Sequence, residues 1–194
     1  MASDERVRCS WPAADELQIR YHDEEWGVPL HDDRKQFEFL TLEAFQSGLS
    51  WRLILGRRER FRAAFDRFDP ELVARYGAAE RERLLGDAGI IRNRAKIDAT
   101  INNAGAFLEL ARAKGGFSRW LWDFVGGEPV VGRLPEEEVP AQTELSRTVA
   151  RELKGRGFKF LGPTVVYSHL QATGVVNDHD PGCFRHAQLK NGAK

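Results

Sequence analysis

Leu84-Leu85-Gly86-Asp87-Ala88-Gly89-Ile90-Ile91-Arg92-Asn93-Arg94-Ala95-Lys96-Ile97 reads as a short helix running out, a glycine turn, and a longer helix beginning at once. The first backbone N–H groups of a helix have no partner inside it, and the helix dipole is positive there. A phosphate is therefore a natural ligand for such a turn. Arg92, Arg94 and Lys96 would add attraction that does not depend on base sequence. The common form of this hairpin has glycine, an apolar residue and glycine; here Ile91 occupies the second glycine position, which removes some close backbone access. On these residues alone, an ordinary helix–helix turn closed by glycine fits as well.

Outward from the hairpin, the apolar spacing is mostly helical. Phe37, Leu40 and Ala44 recur at three and four residues after Asp32-Asp33, with Gly48 as the stop. Ser50 can cap a following helix that carries Trp51, Ile54 and Leu55, and Asp69-Pro70 reads as a cap with proline in the first turn. A long helix is expected from Arg92 to Ala113, and another through Leu145, Val149 and Leu153 to Gly155. Pro163 should open the last, ending at Gly174. The proline- and glycine-rich run from Gly126 to Pro140, with Glu136, Glu137 and Glu138, reads as an exposed connection. No period-two alternation is sustained, so an all-α fold is expected, as one domain over residues 1–194 with two helical lobes and the hairpin within about 80–112.

With 194 residues, 42% of them hydrophobic, the chain can bury a core of its own. No apolar run approaches the roughly 20 residues of a membrane helix, and no signal peptide opens the sequence, so a cytoplasmic protein with no membrane partner is expected. Twenty-nine basic and 29 acidic residues cancel, which argues against an indiscriminate nucleic-acid binder. Three local basic runs remain: Arg57, Arg58, Arg60 and Arg62; Arg92, Arg94 and Lys96; and Arg147, Arg151, Lys154, Arg156 and Lys159. They allow one DNA-facing side and no stronger claim.

Cys9 and His22 near the start, with His179 and Cys183 near the end, make up a Cys2His2 set from the chain's two cysteines. Such a set suits Zn2+ in a closed structural site. Two inert buried thiols with surface histidines, or a disulfide, fit the spacing too, although nothing suggests an oxidising compartment.

Ordered blocks surround these residues: Arg8-Cys9-Ser10-Trp11, Tyr21-His22-Asp23-Glu24-Glu25-Trp26-Gly27-Val28-Pro29, Leu42-Glu43-Ala44-Phe45-Gln46-Ser47-Gly48-Leu49-Ser50-Trp51, Asp87-Ala88-Gly89-Ile90-Ile91-Arg92, Arg156-Gly157-Phe158-Lys159-Phe160-Leu161-Gly162 and Val176-Asn177-Asp178-His179. From about Arg8 to Cys183 the chain resembles the bacterial DNA-3-methyladenine glycosylase I family of alkylation-repair enzymes. The resemblance implies a helix–hairpin–helix glycosylase fold, with one structural zinc on Cys9, His22, His179 and Cys183 joining the N- and C-terminal segments. It also implies double-stranded DNA containing 3-methyladenine as partner; the chain is expected to be a monomer, and Gly89, Arg92, Arg94 and Lys159 are the candidate DNA contacts from the hairpin and its basic residues.

A glycosylase must flip its target nucleotide out of the duplex and read the base among aromatic faces. The resemblance assigns Glu43 and Tyr21 to the reacting base, Glu43 accepting from its amino edge, with Trp51 as stacking wall and Trp11 close by. Without it, Glu43 is simply a carboxylate on an amphipathic helix. Trp26, Trp120 and Trp122 are expected to be mainly core. Gln18 stands where the family often has an aromatic residue, which implies a lost pocket contact. Asp98 is at the wrong position for the catalytic aspartate of other helix–hairpin–helix glycosylases, and no lysine is placed for lyase chemistry. The expected activity is monofunctional hydrolysis of the N-glycosidic bond. The alternative is a zinc-stapled protein that binds alkylated or distorted DNA without cleaving it. A zinc hydrolase is a poor third, since four protein ligands leave no open position for water.

Overall fold

The computed structural model describes residues 6–131 and 139–190. Glu136, Glu137 and Glu138, and with them the middle of the expected Gly126–Pro140 connection, lie outside the described residues. In chain order come α1 (Glu16–Glu24), α2 (Asp33–Gln46), α3 (Trp51–Gly56), α4 (Arg58–Ala64), a tight helical turn Asp66–Phe68, α5 (Pro70–Val73) and α6 (Ala78–Gly86). Then follow α7 (Arg94–Lys114), α8 (Phe117–Asp123), β1 (Val130–Val131), α9 (Glu144–Gly155), α10 (Pro163–Ala172), β2 (Val176–Asn177) and α11 (Phe184–Lys190).

The predicted local signals carry through. Asp32 accepts from Lys35 N at 2.8 Å, Ser50 accepts from Leu53 N at 3.3 Å, and Asp69 accepts from Glu71 N with Pro70 in the first turn. Gly174, with φ +73, turns the chain after α10. Two expectations need correction. α10 is not the last helix, because α11 follows the turn through Cys183. A two-residue parallel pairing of Val130 with Val176 and Val131 with Asn177 also interrupts the helical pattern. It is too short to leave a periodic signal.

α2 determines where the site lies. Every residue from Gln36 to Phe45 is buried, so this helix has no solvent face along its second half. It is packed against α3, α7, α8 and α10, and Phe37 and Phe45 join the aromatic contacts Phe37–Phe107 and Phe45–Phe61. A helix enclosed on all sides is expected only when its polar groups find partners. Gln36 Nε2 donates to Leu30 O at 2.8 Å. Glu38 takes Arg58 Nε at 2.5 Å and Arg62 Nε at 2.9 Å, while Arg58 also reaches Glu25. The basic run Arg57–Arg62 is thus largely consumed inside the protein, because buried carboxylates demand countercharges.

Lys96 is the clearest correction in the hairpin. Its ammonium is buried and donates to Phe45 O and Ser47 O, both at 2.7 Å, closing the end of α2. Helix ends expose carbonyls without partners, and a cation is the natural cap. Lys96 therefore points inward, its ammonium spent on two backbone carbonyls.

Candidate base pocket and metal cluster

Between α1, α2, α3 and α10 lies a cavity of about 360 Å³, within the roughly 300–1,000 Å³ of small-molecule sites. Trp11, Tyr21, Trp26 and Trp51 line it, together with Glu43, Gln46, Ser168, Gln171 and Asp178. Ring centroids of Tyr21 and Trp51 are 5.2 Å apart, and those of Trp11 are 6.2 Å from Tyr21 and 5.2 Å from Trp26. The walls are aromatic faces and edges in mutual contact. Trp120 and Trp122 are core residues as expected, whereas Trp26 lines the cavity. Gln18 is not among its lining residues.

Three polar groups in this apolar lining have no partner among the described residues. The Tyr21 hydroxyl and Trp51 Nε1 are buried with no hydrogen-bond partner there. Glu43, 5% exposed on a helix without a solvent side, has no hydrogen bond or ion pair among the described residues. Burial alone pushes its carboxyl up to about 8, and burial likewise raises the Tyr21 phenol well above its ordinary value. Buried polar groups are normally satisfied, so an acceptor and two donors left open around one cavity mark a ligand's hydrogen-bonding edge. The sequence could not separate this Glu43 from a surface glutamate, because enclosure of α2 is a property of its packing partners.

The predicted hairpin residues occupy the α6–α7 turn. Gly89 N donates to Asp87 Oδ1 at 2.7 Å, and a Cβ on Gly89 would come within 2.9 Å of that oxygen and 3.3 Å of Arg60 Cβ. Arg57 Nη1 donates to Ala88 O and Ile90 O, so the turn is pinned from α3's end. Asn93 caps α7 by accepting from Lys96 N at 3.1 Å. Arg92 and Arg94 are exposed, Arg94 pairing with Glu82 at 3.2 Å. Lys159 is exposed on a loop clamped to α7: Asn103 accepts from Lys159 N at 2.8 Å and donates to Lys159 O at 2.9 Å.

Cys9, His22, His179 and Cys183, some 170 residues apart at the extremes, meet as a buried quartet whose ligand atoms all lie within 4.8 Å of one another. His22 Nε2 is 3.4 Å from Cys183 Sγ, and His179 Nδ1 is 3.5 Å from Cys9 Sγ and 3.6 Å from Cys183 Sγ. Each outer ring nitrogen has its own anchor, His22 Nδ1 on Asp23 at 2.8 Å and His179 Nε2 on Trp26 O at 3.1 Å. That second layer orients imidazoles toward a metal. Burial holds His179 down to about 3 and lowers His22 from its ordinary value, which favours the neutral rings that ligation requires. Both cysteines are thiols, which removes the disulfide reading. The quartet could hold a metal ion, and its donors fit one.

Residues the sequence reading passed over also line the cavity, chiefly Asp178, Gln171 and Ser168. Asp178 stood in a quoted block beside His179, but no spacing tied it to Glu43.

Residues 11–186 match the methyladenine glycosylase family. The chain is 48% identical to DNA-3-methyladenine glycosylase 1 of Escherichia coli K12 over 177 residues, covering 91% of this chain and 95% of that protein. Among solved structures it superposes on 3-methyladenine DNA glycosylase I with a TM-score of 0.88 at 47% identity, over 92% of this chain and 98% of that one. A Tyr-to-Phe variant of 3-methyladenine DNA glycosylase I in complex with 3-methyladenine gives 0.88 at 35% identity, over 91% and 96%.

Proposed function

This chain belongs to the methyladenine glycosylase family, and from that membership and its cavity we propose that it hydrolyses the N-glycosidic bond of 3-methyladenine in alkylated double-stranded DNA. The observation that carries the reading is the aromatic cavity with Glu43, the Tyr21 hydroxyl and Trp51 Nε1 all unspent. The nucleotide must be flipped out of the stack to enter it. Alkylation at N3 makes the base cationic and weakens its bond to the sugar. Electron-rich faces attract that cation, and a buried carboxylate does so more strongly. Glu43 accepts from the amino edge of the base, and Tyr21 contacts it through its hydroxyl. Trp51 and Trp11 stack or edge against it. A normal adenine brings no charge and a strong bond, so selectivity arises from charge and lability. The protein acts as a recogniser and electrostatic stabiliser of an already labile base, with no lyase step.

The metal is read as one structural Zn2+ on Cys9, His22, His179 and Cys183. Bond lengths of about 2.3 Å to sulfur and 2.0–2.1 Å to nitrogen in a tetrahedron give N···S edges of about 3.5 Å. Three of the four N···S edges here are 3.4, 3.5 and 3.6 Å, and all four ligand atoms lie within 4.8 Å of one another. When bound, the ion supplies a staple between the chain's two ends and has no open position for water. The α6–α7 turn is read as a helix–hairpin–helix anchor, binding phosphates through the backbone around Gly89 and through Arg92, Arg94 and Lys159. We read the protein as a monomer of one domain, and as cytoplasmic because the staple needs reduced thiolates.

Release of 3-methyladenine from methylated duplex DNA, followed by chromatography of the freed base, tests the activity. Base release above the uncatalysed background is expected. Tight binding to the same DNA with no release would establish a non-catalytic binder instead.

A further inference from the structure

Asp178 follows β2 and is 3% exposed, with one carboxylate oxygen fully engaged and the other not engaged at all. Its Oδ2 accepts from the Tyr167 hydroxyl and from Gln171 Nε2, the latter at 2.7 Å. Both donors project from α10 one turn apart, so the plane of the carboxylate is fixed. Its Oδ1 is buried without a hydrogen-bond partner among the described residues, and Asp178 and Gln171 line the same cavity as Glu43, Tyr21 and Trp51. Holding Tyr167 and Gln171 together needs only one acceptor, which an uncharged amide would provide. A buried carboxyl group with one oxygen unpartnered among the described residues, on a residue that lines a binding cavity, is unexplained by packing.

The cavity's two walls differ. Tyr21, Glu43 and Trp51 come from α1, α2 and the start of α3, and they supply the acceptor, donors and faces that a base edge needs. Ser168, Gln171 and Asp178 come from α10 and the segment after β2. With the base against the first wall, the second is left for the sugar that carries it.

We propose that Asp178 is a catalytic residue: its Oδ1 faces the deoxyribose of the flipped nucleotide and stabilises the positive charge that develops there as the base departs. The proposal rests on the glycosylase reading. In the step, the bond from C1′ to the base breaks and its electron pair leaves with the cationic base, which departs neutral. A water oxygen bonds to C1′, and the water's proton passes to bulk solvent. Asp178 neither gives nor takes a proton in the step. Its contribution is a preoriented charge that needs no reorganisation at the moment of reaction, fixed by Tyr167 and Gln171.

The test uses the full-length, zinc-loaded protein and Asp178→Asn. Asparagine's carbonyl can keep both donors from α10, so the variant loses the charge and little else. Single-turnover excision of 3-methyladenine should fall about 10²- to 10³-fold, with free-base affinity, zinc content and melting temperature unchanged. A second measurement compares duplexes carrying a cationic pyrrolidine or a neutral tetrahydrofuran abasic mimic. Wild type should prefer the cation, and Asp178→Asn should lose that preference. If Asp178→Asn does not fold, Gln171→Met removes one of the two anchors and should shrink the same preference. An unchanged preference in the variants overturns the proposal. So does unchanged excision, or a loss of free-base affinity equal to the loss of rate, which would make Asp178 a base-edge contact. Wild-type protein that releases no 3-methyladenine would defeat the glycosylase reading itself, a distinct outcome.

Discussion

Replacing Glu43 with glutamine keeps the shape of the side chain and removes its capacity to ionise, and the structure fixes what should follow. The carboxyl is buried, unpartnered, and raised from 4.5 to about 8 by burial. Below about pH 4.5 it is protonated in both folded and unfolded chains and contributes no pH dependence. Between 4.5 and about 8 the unfolded chain gives up the proton while the folded one keeps it, so stability falls as pH rises. Each unit costs about 1.4 kcal/mol, or roughly 3–5 kcal/mol over the whole window. Above about 8 both forms are ionised and the loss is complete. Denaturant melts of zinc-loaded wild type and Glu43→Gln across this window should therefore diverge, the variant gaining on wild type as pH rises. Curves that stay parallel would refute the enclosed, unpaired carboxyl. The same variant should bind free 3-methyladenine more weakly and excise it more slowly. One charge-assisted hydrogen bond is worth about 1.5–3 kcal/mol, roughly ten- to a hundred-fold in rate. If excision vanishes while free-base binding is untouched, Glu43 moves a proton and the recognition role assigned to it is wrong.

Three further outcomes are expected. Purified protein should carry about one equivalent of zinc, and Cys9→Ala or Cys183→Ala should lower the melting temperature before it alters chemistry; elemental analysis showing far less metal, with melting indifferent to chelation, would end the staple. Lys96→Met should cost about 1.5–3 kcal/mol and weaken free-base binding, because the amine closes the turn of α2 just beyond Glu43; unaltered melting and base affinity would show that the end of α2 is held by other contacts. Affinity for undamaged duplex should fall steeply with salt and hardly vary with sequence. Arg92→Ala and Lys159→Ala should each lower the log–log salt slope by about 0.9, and salt-insensitive binding in a titration series would exclude a phosphate-based anchor.

What the sequence determined by itself is local. Caps at Asp32, Ser50 and Asp69 act over three residues through a single side-chain acceptor, so their helices could be read from the chain alone. The kinds of residue able to hold a metal or meet a cationic base were legible in the same way, since Cys9, His22, Glu43 and Trp51 carry their chemistry wherever they sit. Tertiary structure decided which of those chemistries are switched on. The quartet exists because α1 and the segment before α11 are brought within 4.8 Å of each other at their ligand atoms, a closure that no spacing encodes. Lys96 looked like a phosphate contact beside Arg92 and Arg94, yet the face of α7 that meets α2 turned it inward to two open carbonyls. Glu43 and Asp178 acquired their meaning from enclosure. Neither residue's neighbours in sequence say whether water can reach it, and burial is what turns a carboxylate into an unsatisfied group waiting for a ligand.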